Sequence, residues 1–304
     1  MTQQTQEKVV VTGGAGFIGG HLVRALLDAG YDVQVIDNLS AGTKENVPEA
    51  ATLHVLDIRD AAAVEEVCKG ASTVIHLAAM PQVQYSIEHP LETHDVNVNG
   101  TVSVLAAAQA ARVRRVVFAS SASVYGDVEV SVLSEDLPAD PKSPYALHKH
   151  IGEQYGRLWH RLYGLETVSL RFFNVYGPGA RASGAYALVT AIFLKLWREG
   201  KPLTITGDGE QTRDFIHVRD IARAIMLAAA HPGVGAGEVI NIGSGVGTSV
   251  NTVAQLFGGE KEYGPARIEP RNSVAAVARA RELLGFETSI ALTDGIEELK
   301  RMAP

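Results

Sequence analysis

The sequence predicts an α/β fold: a doubly wound parallel sheet with helices on both faces and a smaller α/β region attached. Three observations predict it. Short β-branched runs alternate with longer Ala- and Leu-rich runs, the mark of βαβ units. The strand-like runs are continuously apolar, as strands covered by helices on both faces must be. A glycine-spaced turn joins the first strand to the first helix.

The elements follow in order. "KVVVTGG" reads as a strand and "FIGGHLVRALLDAG" as the helix after it; "DVQVIDN" and "TLHVLDI" are the next two strands. "RDAAAVEEVCKG" is a helix, "STVIHLAA" a strand, "DVNVNGTVSVLAAAQAARV" a helix and "RRVVFASS" the fifth strand. A polar, Pro-containing loop after Gly126 leads to a long helix, "YALHKHIGEQYGRLWHRLYG", and then the strand "ETVSLRFFNVYG". Beyond Gly177 the pattern changes to a smaller α/β region, interrupted by "RDFIHVRDIARAIMLAAAH" and "EVINIGS", which read as strand–helix material of the main sheet. The expected domains are therefore discontinuous: 1–173 plus 212–242, and 174–211 plus 243–304.

The chain has 304 residues, 46% hydrophobic and 20% charged, enough for a sizeable core. A net charge of −7 offers no electrostatic case for nucleic acid or an anionic membrane. The single cysteine, Cys68, rules out an intramolecular disulfide and reads as a small apolar helix residue. No apolar run approaches the roughly 18 residues of a membrane span. The polar start "MTQQTQEK" has no apolar signal core, so a cytoplasmic protein is the expectation. No His/Cys/Asp cluster has metal-ligand spacing, so no metal is expected.

In "VVVTGGAGFIG", Gly13, Gly16 and Gly19 recur every third residue between strand and helix. The first glycine permits a tight turn, the middle one a close approach to a pyrophosphate, and the last one helix–strand packing. The helix N-terminus then offers free N–H groups to phosphates. Asp37 closes the next strand, where a carboxylate accepts from both adenosine ribose hydroxyls and repels a 2′-phosphate. That selects NAD over NADP. On the residues alone, Asp57 reads either as a contact to the adenine amino group or as the cap of "RDAAAVEE", with the cap preferred. His76 reads as a satisfied core histidine.

"VVFASSASVYG" ends the fifth strand in hydroxyls at Ser120, Ser121 and Ser123, and ligands bind beyond the carboxyl ends of such strands. In "SPYALHK", Tyr145 and Lys149 stand four apart, on one helical face. A phenol ordinarily ionises near pH ~10, too high for a base at neutral pH. A nearby ammonium and a cationic nicotinamide are expected to lower it.

Here the chain closely resembles the extended short-chain dehydrogenase/reductase family, in its sugar-nucleotide epimerase/dehydratase branch. The resemblance rests on "TGGAGFIG", "VIDNLS", "LDIRD", "HLAA", "NVNGT", "SSASVYG", "YALHK", "RFFNVYGP" and "RDFIHVRD". It implies a Rossmann-type NAD-binding domain with a nucleotide-sugar-binding domain. It implies Ser121, Tyr145 and Lys149 as catalytic, with Lys149 also on the nicotinamide ribose. The implied cofactor site comprises Gly13, Gly16, Phe17, Ile18, Gly19, Asp37, Asn38, Leu39, Ser40, Gly42, Asp57, Ile58, Leu77, Ala78, Ala79, Ser120, Tyr145, Lys149, Phe172 and Val175. Ser121, Tyr145, Asn174, Arg213 and Arg267 are implied to hold the substrate, with Arg271 as an alternative to Arg267. A homodimer through the helices of "NVNGTVSVLAAAQAARV" and "LHKHIGEQYGRLWHRL" is implied as well.

Dehydratases of the branch resemble one another in carrying carboxylates after the catalytic hydroxyl, where this chain has Ala122 and Ser123. "SSASVYG" looks most like the UDP-glucose (UDP-galactose) 4-epimerases. The expected activity is thus C4 epimerisation of a UDP-hexose through a transient 4-keto sugar, with NAD retained and regenerated at each turnover. The alternatives are an epimerase of UDP-N-acetylhexosamine or UDP-uronic acid, or a dehydratase. The chain departs from the pattern at Met80, Pro81 and His148; His148 is expected to be exposed filler.

Overall fold

The computed structural model describes residues 6–128, 130–182, 188–266 and 271–302. The chain begins β1 (Lys8–Thr12), α1 (Phe17–Asp28), β2 (Asp32–Asp37), β3 (Thr52–Val55), α2 (Ala61–Cys68) and β4 (Thr73–His76). Next come α3 (Val83–Glu88), α4 (Pro90–His94), a π turn (Asp95–Asn99), α5 (Gly100–Ala110) and β5 (Arg115–Ser121). After them stand α6 (Pro144–Tyr163), β6 (Glu166–Phe172), β7 (Asn174–Tyr176), α7 (Val189–Arg198), β8 (Leu203–Thr206) and β9 (Thr212–His217). The chain continues with α8 (Val218–Ala230), β10 (Ala236–Ile242), β11 (Gly247–Ser249), α9 (Val250–Phe257) and β12 (Lys261–Gly264). It closes with β13 (Asn272–Ser273), α10 (Ala278–Leu284) and α11 (Leu292–Met302).

Two compact units result: Met1–Ser121, Ser143–Arg171 and Ala222–Ile240 in one; Ala122–Lys142, Phe172–Ile221 and Asn241–Pro304 in the other. The first holds a seven-stranded sheet in the order β10-β6-β5-β4-β1-β2-β3. Its β1–β2, β1–β4, β2–β3 and β4–β5 pairs are parallel, so these strands end on the same edge. The order reverses direction between β1 and β4, the switch point at which such sheets bind ligands. One side of the sheet is filled by Val10, Ile36, Val64, Cys68, Val74, Val104, Leu105 and Val116. Cys68 is a buried free thiol whose pKa burial pushes up to about 11, as a small apolar residue requires. At the opposite end of β5 from Ser121, the buried Arg115 guanidinium donates to Glu166 and to the carbonyls of Ala228, His231 and Val234.

The second unit packs Tyr176, Phe193, Leu203, Phe215, Val253, Phe257 and Ile296 into its own core. Its four-stranded sheet orders β11-β9-β13, with β7 also on β9, and β8 pairs with β12. The grouping differs from the domain expectation for 122–142, 172–173, 212–221 and 241–242, which fall in this unit. For "RDFIHV" the reason is hydrogen bonding: β9 pairs with β7, β11 and β13, not with the seven-stranded sheet. "EVINI" does join the seven-stranded sheet, as β10.

Candidate functional site: the carboxyl edge of the seven-stranded sheet

The glycine loop turns where β1 ends. Gly13 has φ +75°, and a Cβ there would lie 2.7 Å from the Ala78 nitrogen at the end of β4. A Cβ on Gly19 would stand 2.2 Å from the Gly13 carbonyl oxygen, so α1 packs on the loop only without a side chain. Gly42 is equally closed, its Cβ meeting the Ala15 carbonyl carbon at 2.5 Å. Gly16 is the N-cap of α1 and makes no side-chain cap; the first turn, with Phe17 and Ile18, carries no acidic residue. The start of α1 is thus left open to an anion, which is what a pyrophosphate requires.

Asp37 is buried at the end of β2. One carboxylate oxygen accepts from the Ala15 backbone N–H at 3.0 Å, the other from Leu39 N–H at 2.8 Å. The second bond holds Leu39 at φ +58°, a left-handed conformation costing about 1 kcal/mol or more for a non-glycine residue. Asn38 and Ser40 are exposed beside it, and the Ser40 N–H donates to the Asn38 side chain. Asp57 does not cap α2: Asp60 does, accepting from Ala63 N–H at 3.1 Å. Asp57 instead takes the Arg59 backbone N–H and guanidinium and the Asn38 amide, and these hold its carboxyl at about 2. The Ile58 side chain belongs to the core.

His76 is satisfied on both sides. Its Nδ1 lies 2.7 Å from the Thr12 hydroxyl and its Nε2 3.0 Å from Thr101, whose hydroxyl donates to Asn97 O. Since Thr101 donates onward and Thr12 accepts from Ala78 N–H, the neutral ring is protonated on Nε2. Burial lowers its pKa to about 3. Leu77, Ala78 and Ala79 are the half-buried residues that follow. Asn97 then clamps Met80, accepting from its N–H at 2.7 Å and donating to its carbonyl at 3.0 Å.

The tyrosine and lysine are set by α6. Ser143 caps it, accepting from Ala146 N–H, and Pro144 fills its first turn. Gly152 lets the helix lie on β5, since a Cβ there would be 2.4 Å from the Phe118 ring. Tyr145 shares a hydrogen bond with the Ser121 side chain. Lys149 Nζ donates to Ala119 O at 2.7 Å and stands 4.9 Å from the Phe118 ring centroid and 5.9 Å from that of Tyr145. Burial pushes the Tyr145 phenol up to about 12, against the Ser121 bond, which lowers it. The expected lowering is therefore not a property of these side chains alone: desolvation outweighs it. Burial likewise brings Lys149 down to about 8, opposed by the Glu153 carboxylate. Ser120 lies on the opposite side of the strand, and its hydroxyl donates to Glu153. His148 is a correction: it is buried beneath the His94 ring at 5.3 Å, because α4 and the π turn cover that side of α6, and its Nδ1 has no hydrogen-bond partner among the described residues.

The remaining predicted residues belong to the second unit. Phe172 is buried, Val175 half-buried on β7, and Asn174 Nδ2 donates to Asp214 O at 3.4 Å. Arg213 is half-buried on β9, its Nη1 on Thr212 O at 2.8 Å. The buried Asp214 beside it accepts from Ser244 N–H and hydroxyl, Gly245 N–H and Ala275 N–H, which fixes this strand. Arg267 lies outside the described residues. Arg271 is exposed and pairs with Asp208 at 2.9 Å, while its carbonyl accepts from Thr212 N–H, next to Arg213. Among the described residues no group of three or more His, Cys, Asp or Glu could hold a metal ion, and no helix is long and apolar enough to cross a membrane.

Glu153, Asn97 and Thr12, which bond to Ser120, Met80 and Ala78, stand outside the predicted set. "NVNGT" contains Asn97 and carries no charge or spacing that announces a clamp; Glu153 has a signal only in its place four residues after Lys149.

Residues 9–243 match the model of the NAD dependent epimerase/dehydratase family. A putative UDP-glucose 4-epimerase of Methanocaldococcus jannaschii is 38% identical over 299 residues, covering 96% of each chain. The crystal structure of UDP-glucose 4-epimerase with UDP-glucose from Thermotoga maritima superimposes with a TM-score of 0.92 at 36% identity, covering 97% of both chains. A UDP-N-acetylglucosamine 4-epimerase from Methanobrevibacter ruminantium, in complex with UDP-N-acetylmuramic acid, gives 0.93 at 33% identity, again over 97% of both. The glycine loop, Asp37 and the Ser–Tyr–Lys cluster thus stand in a chain that belongs to the NAD dependent epimerase/dehydratase family.

Proposed function

We propose that the protein interconverts the C4 epimers of a UDP-hexose, UDP-glucose and UDP-galactose first. The observation that carries this is the cluster at the end of β5: the Tyr145 phenol bonded to Ser121, with the Lys149 ammonium beside its ring. The closed glycine loop and Asp37 suit NAD, which when bound supplies the reversible two-electron exchange at the sugar carbon. The chain's own residues handle the proton. Tyr145, as phenolate, accepts the proton of the C4 hydroxyl and later returns it. Ser121 donates to the same oxygen and steadies it as a carbonyl. Lys149, charged at neutral pH, holds the ribose and favours phenolate; the cation of an oxidised nicotinamide adds to that pull. Such acid–base assistance contributes on the order of 10²–10⁴ in rate.

Inversion requires the 4-keto sugar to turn while its diphosphate stays held. Asn174 and Arg213, with Arg267 or Arg271, are the groups assigned to that anchor. Ala122 and Ser123 supply no carboxylate for deprotonation at C5, which disfavours a dehydratase. NAD stays bound between turnovers because each cycle regenerates it. Leu147, Leu158 and Leu162 leave an exposed apolar row on α6, which supports a homodimer; sedimentation as a monomer at micromolar concentration would refute that part.

The test gives purified protein UDP-glucose, UDP-galactose, UDP-N-acetylglucosamine and UDP-glucuronate separately, without added NAD. Epimer formed from the first two supports the reading. Turnover only of the third or fourth replaces it with an N-acetylhexosamine or uronic acid epimerase, and no epimer from any sinks it.

A further inference from the structure

The third turn of α6 carries a buried charged cluster that the proposed chemistry does not use. Glu153 is 1% exposed. Its Oε1 accepts from the Ser120 hydroxyl at 2.5 Å and from Arg171 Nε at 2.8 Å. Its Oε2 accepts from Arg171 Nη2 at 2.8 Å and faces His150 Nδ1 at 3.4 Å. One carboxylate therefore joins three elements: α6, the end of β5 and the end of β6. Stability alone does not explain it, because well-packed apolar residues in place of a buried ion pair are often neutral or better. What an apolar residue cannot supply is a directional acceptor. Ser120 immediately precedes Ser121, and Glu153 follows Lys149 by one helical turn and Tyr145 by two. The Ser120–Glu153 bond thus fixes how far along the strand end α6 sits, and with it whether the Ser121 hydroxyl meets the Tyr145 phenol.

We propose that Glu153 is a positioning residue that, through Ser120, holds the end of β5 in register with α6 so that Ser121, Tyr145 and Lys149 converge. This rests on the reading of those three as the reacting groups. Arg171 neutralises the carboxylate and keeps both of its oxygens aimed.

The test compares Ser120→Ala, Glu153→Leu/Arg171→Met and Glu153→Gln/Arg171→Met as NAD-loaded proteins. The first two are expected to lower kcat about tenfold or more, with KM and NAD content unchanged, since a displacement near 1 Å can cost up to about 10² in rate. The Gln variant keeps an oxygen that accepts the Ser120 hydroxyl and is expected to recover most of the loss. Leu and Gln variants equal in kcat, or Ser120→Ala within about threefold of wild type, would overturn the proposal. A loss that tracks bound NAD would overturn it too, by making Ser120 a cofactor contact. If the Leu double variant does not fold, Ser120→Ala decides, because it removes one hydroxyl only. A crystal structure of Ser120→Ala gives a second reading free of turnover: the Ser121–Tyr145 bond broken supports the proposal, and the bond intact refutes it. Should wild type turn over no sugar nucleotide, the proposed function fails while that structure still decides the positioning role.

Discussion

The first two turns of α6 and the third turn treat their ionisable groups in opposite ways, although Lys149 and Glu153 are buried to a similar depth. Tyr145 is pushed up to about 12 and Lys149 down to about 8, each toward its neutral form by burial. For Glu153, burial alone would raise the pKa, but hydrogen bonds from Arg171 and His150, the Arg171 charge and the Ser120 bond bring it down to about 2. The difference lies in partners. Lys149 has one carbonyl and two ring faces, whereas Glu153 has a bidentate guanidinium. A group left short of partners shifts toward its neutral form, and a saturated one keeps its charge and holds geometry.

The comparison breaks most visibly at Tyr145. Tyr145→Phe is expected to lower kcat by about 10²–10⁴ while leaving the urea midpoint nearly unchanged. Turnover within about tenfold of wild type would remove Tyr145 as the acid/base. The mirror result is expected one helical turn beyond Lys149. Glu153→Gln without a change at Arg171 strands a buried guanidinium and should cost about 3–5 kcal/mol in urea unfolding.

Acid sharpens the contrast between poised and locked groups. His76, at about 3 in the fold against an ordinary 6.5, is neutral in both states above that ordinary value. As pH falls below it, the unfolded chain takes the proton first, so stability drains away until the folded pKa is reached. By pH 5 the loss from His76 is about 2 kcal/mol. Glu153, also depressed, begins to matter only below its ordinary 4.5. Urea midpoints at pH 7 and pH 5, for wild type and His76→Gln, check this: the variant should lose less than wild type between the two. The smallest effect is at the start of the helix. Ser143→Ala removes the cap bond to Ala146 and should cost about 1 kcal/mol by thermal melting, with a minor change in kcat.

Much of the site was legible because its signals are local. The glycine spacing, the acidic residue closing β2 and the Tyr–Lys pair each fall within one turn or one strand end, where chain geometry limits what a residue type can do. His76 was read correctly as a satisfied core histidine, since its neighbours in sequence are apolar. The misreadings needed a remote partner. Asp57 passed for a helix cap until Arg59 and Asn38 were seen to occupy it and Asp60 to hold the cap. His148 passed for exposed filler because nothing in "YALHK" says that α4 and the π turn lie over it.

By itself, the sequence determined the doubly wound sheet, the dinucleotide turn and which side chains could do chemistry. Periodicity, glycine freedom and side-chain type act over a few residues and survive in any context. The tertiary structure alone decided which sheet "RDFIHV" joins, the depth at which Lys149 sits and the acceptor that binds Ser120. Those depend on desolvation and on hydrogen bonds between residues far apart in the chain, and neither exists until distant strands and helices are packed together.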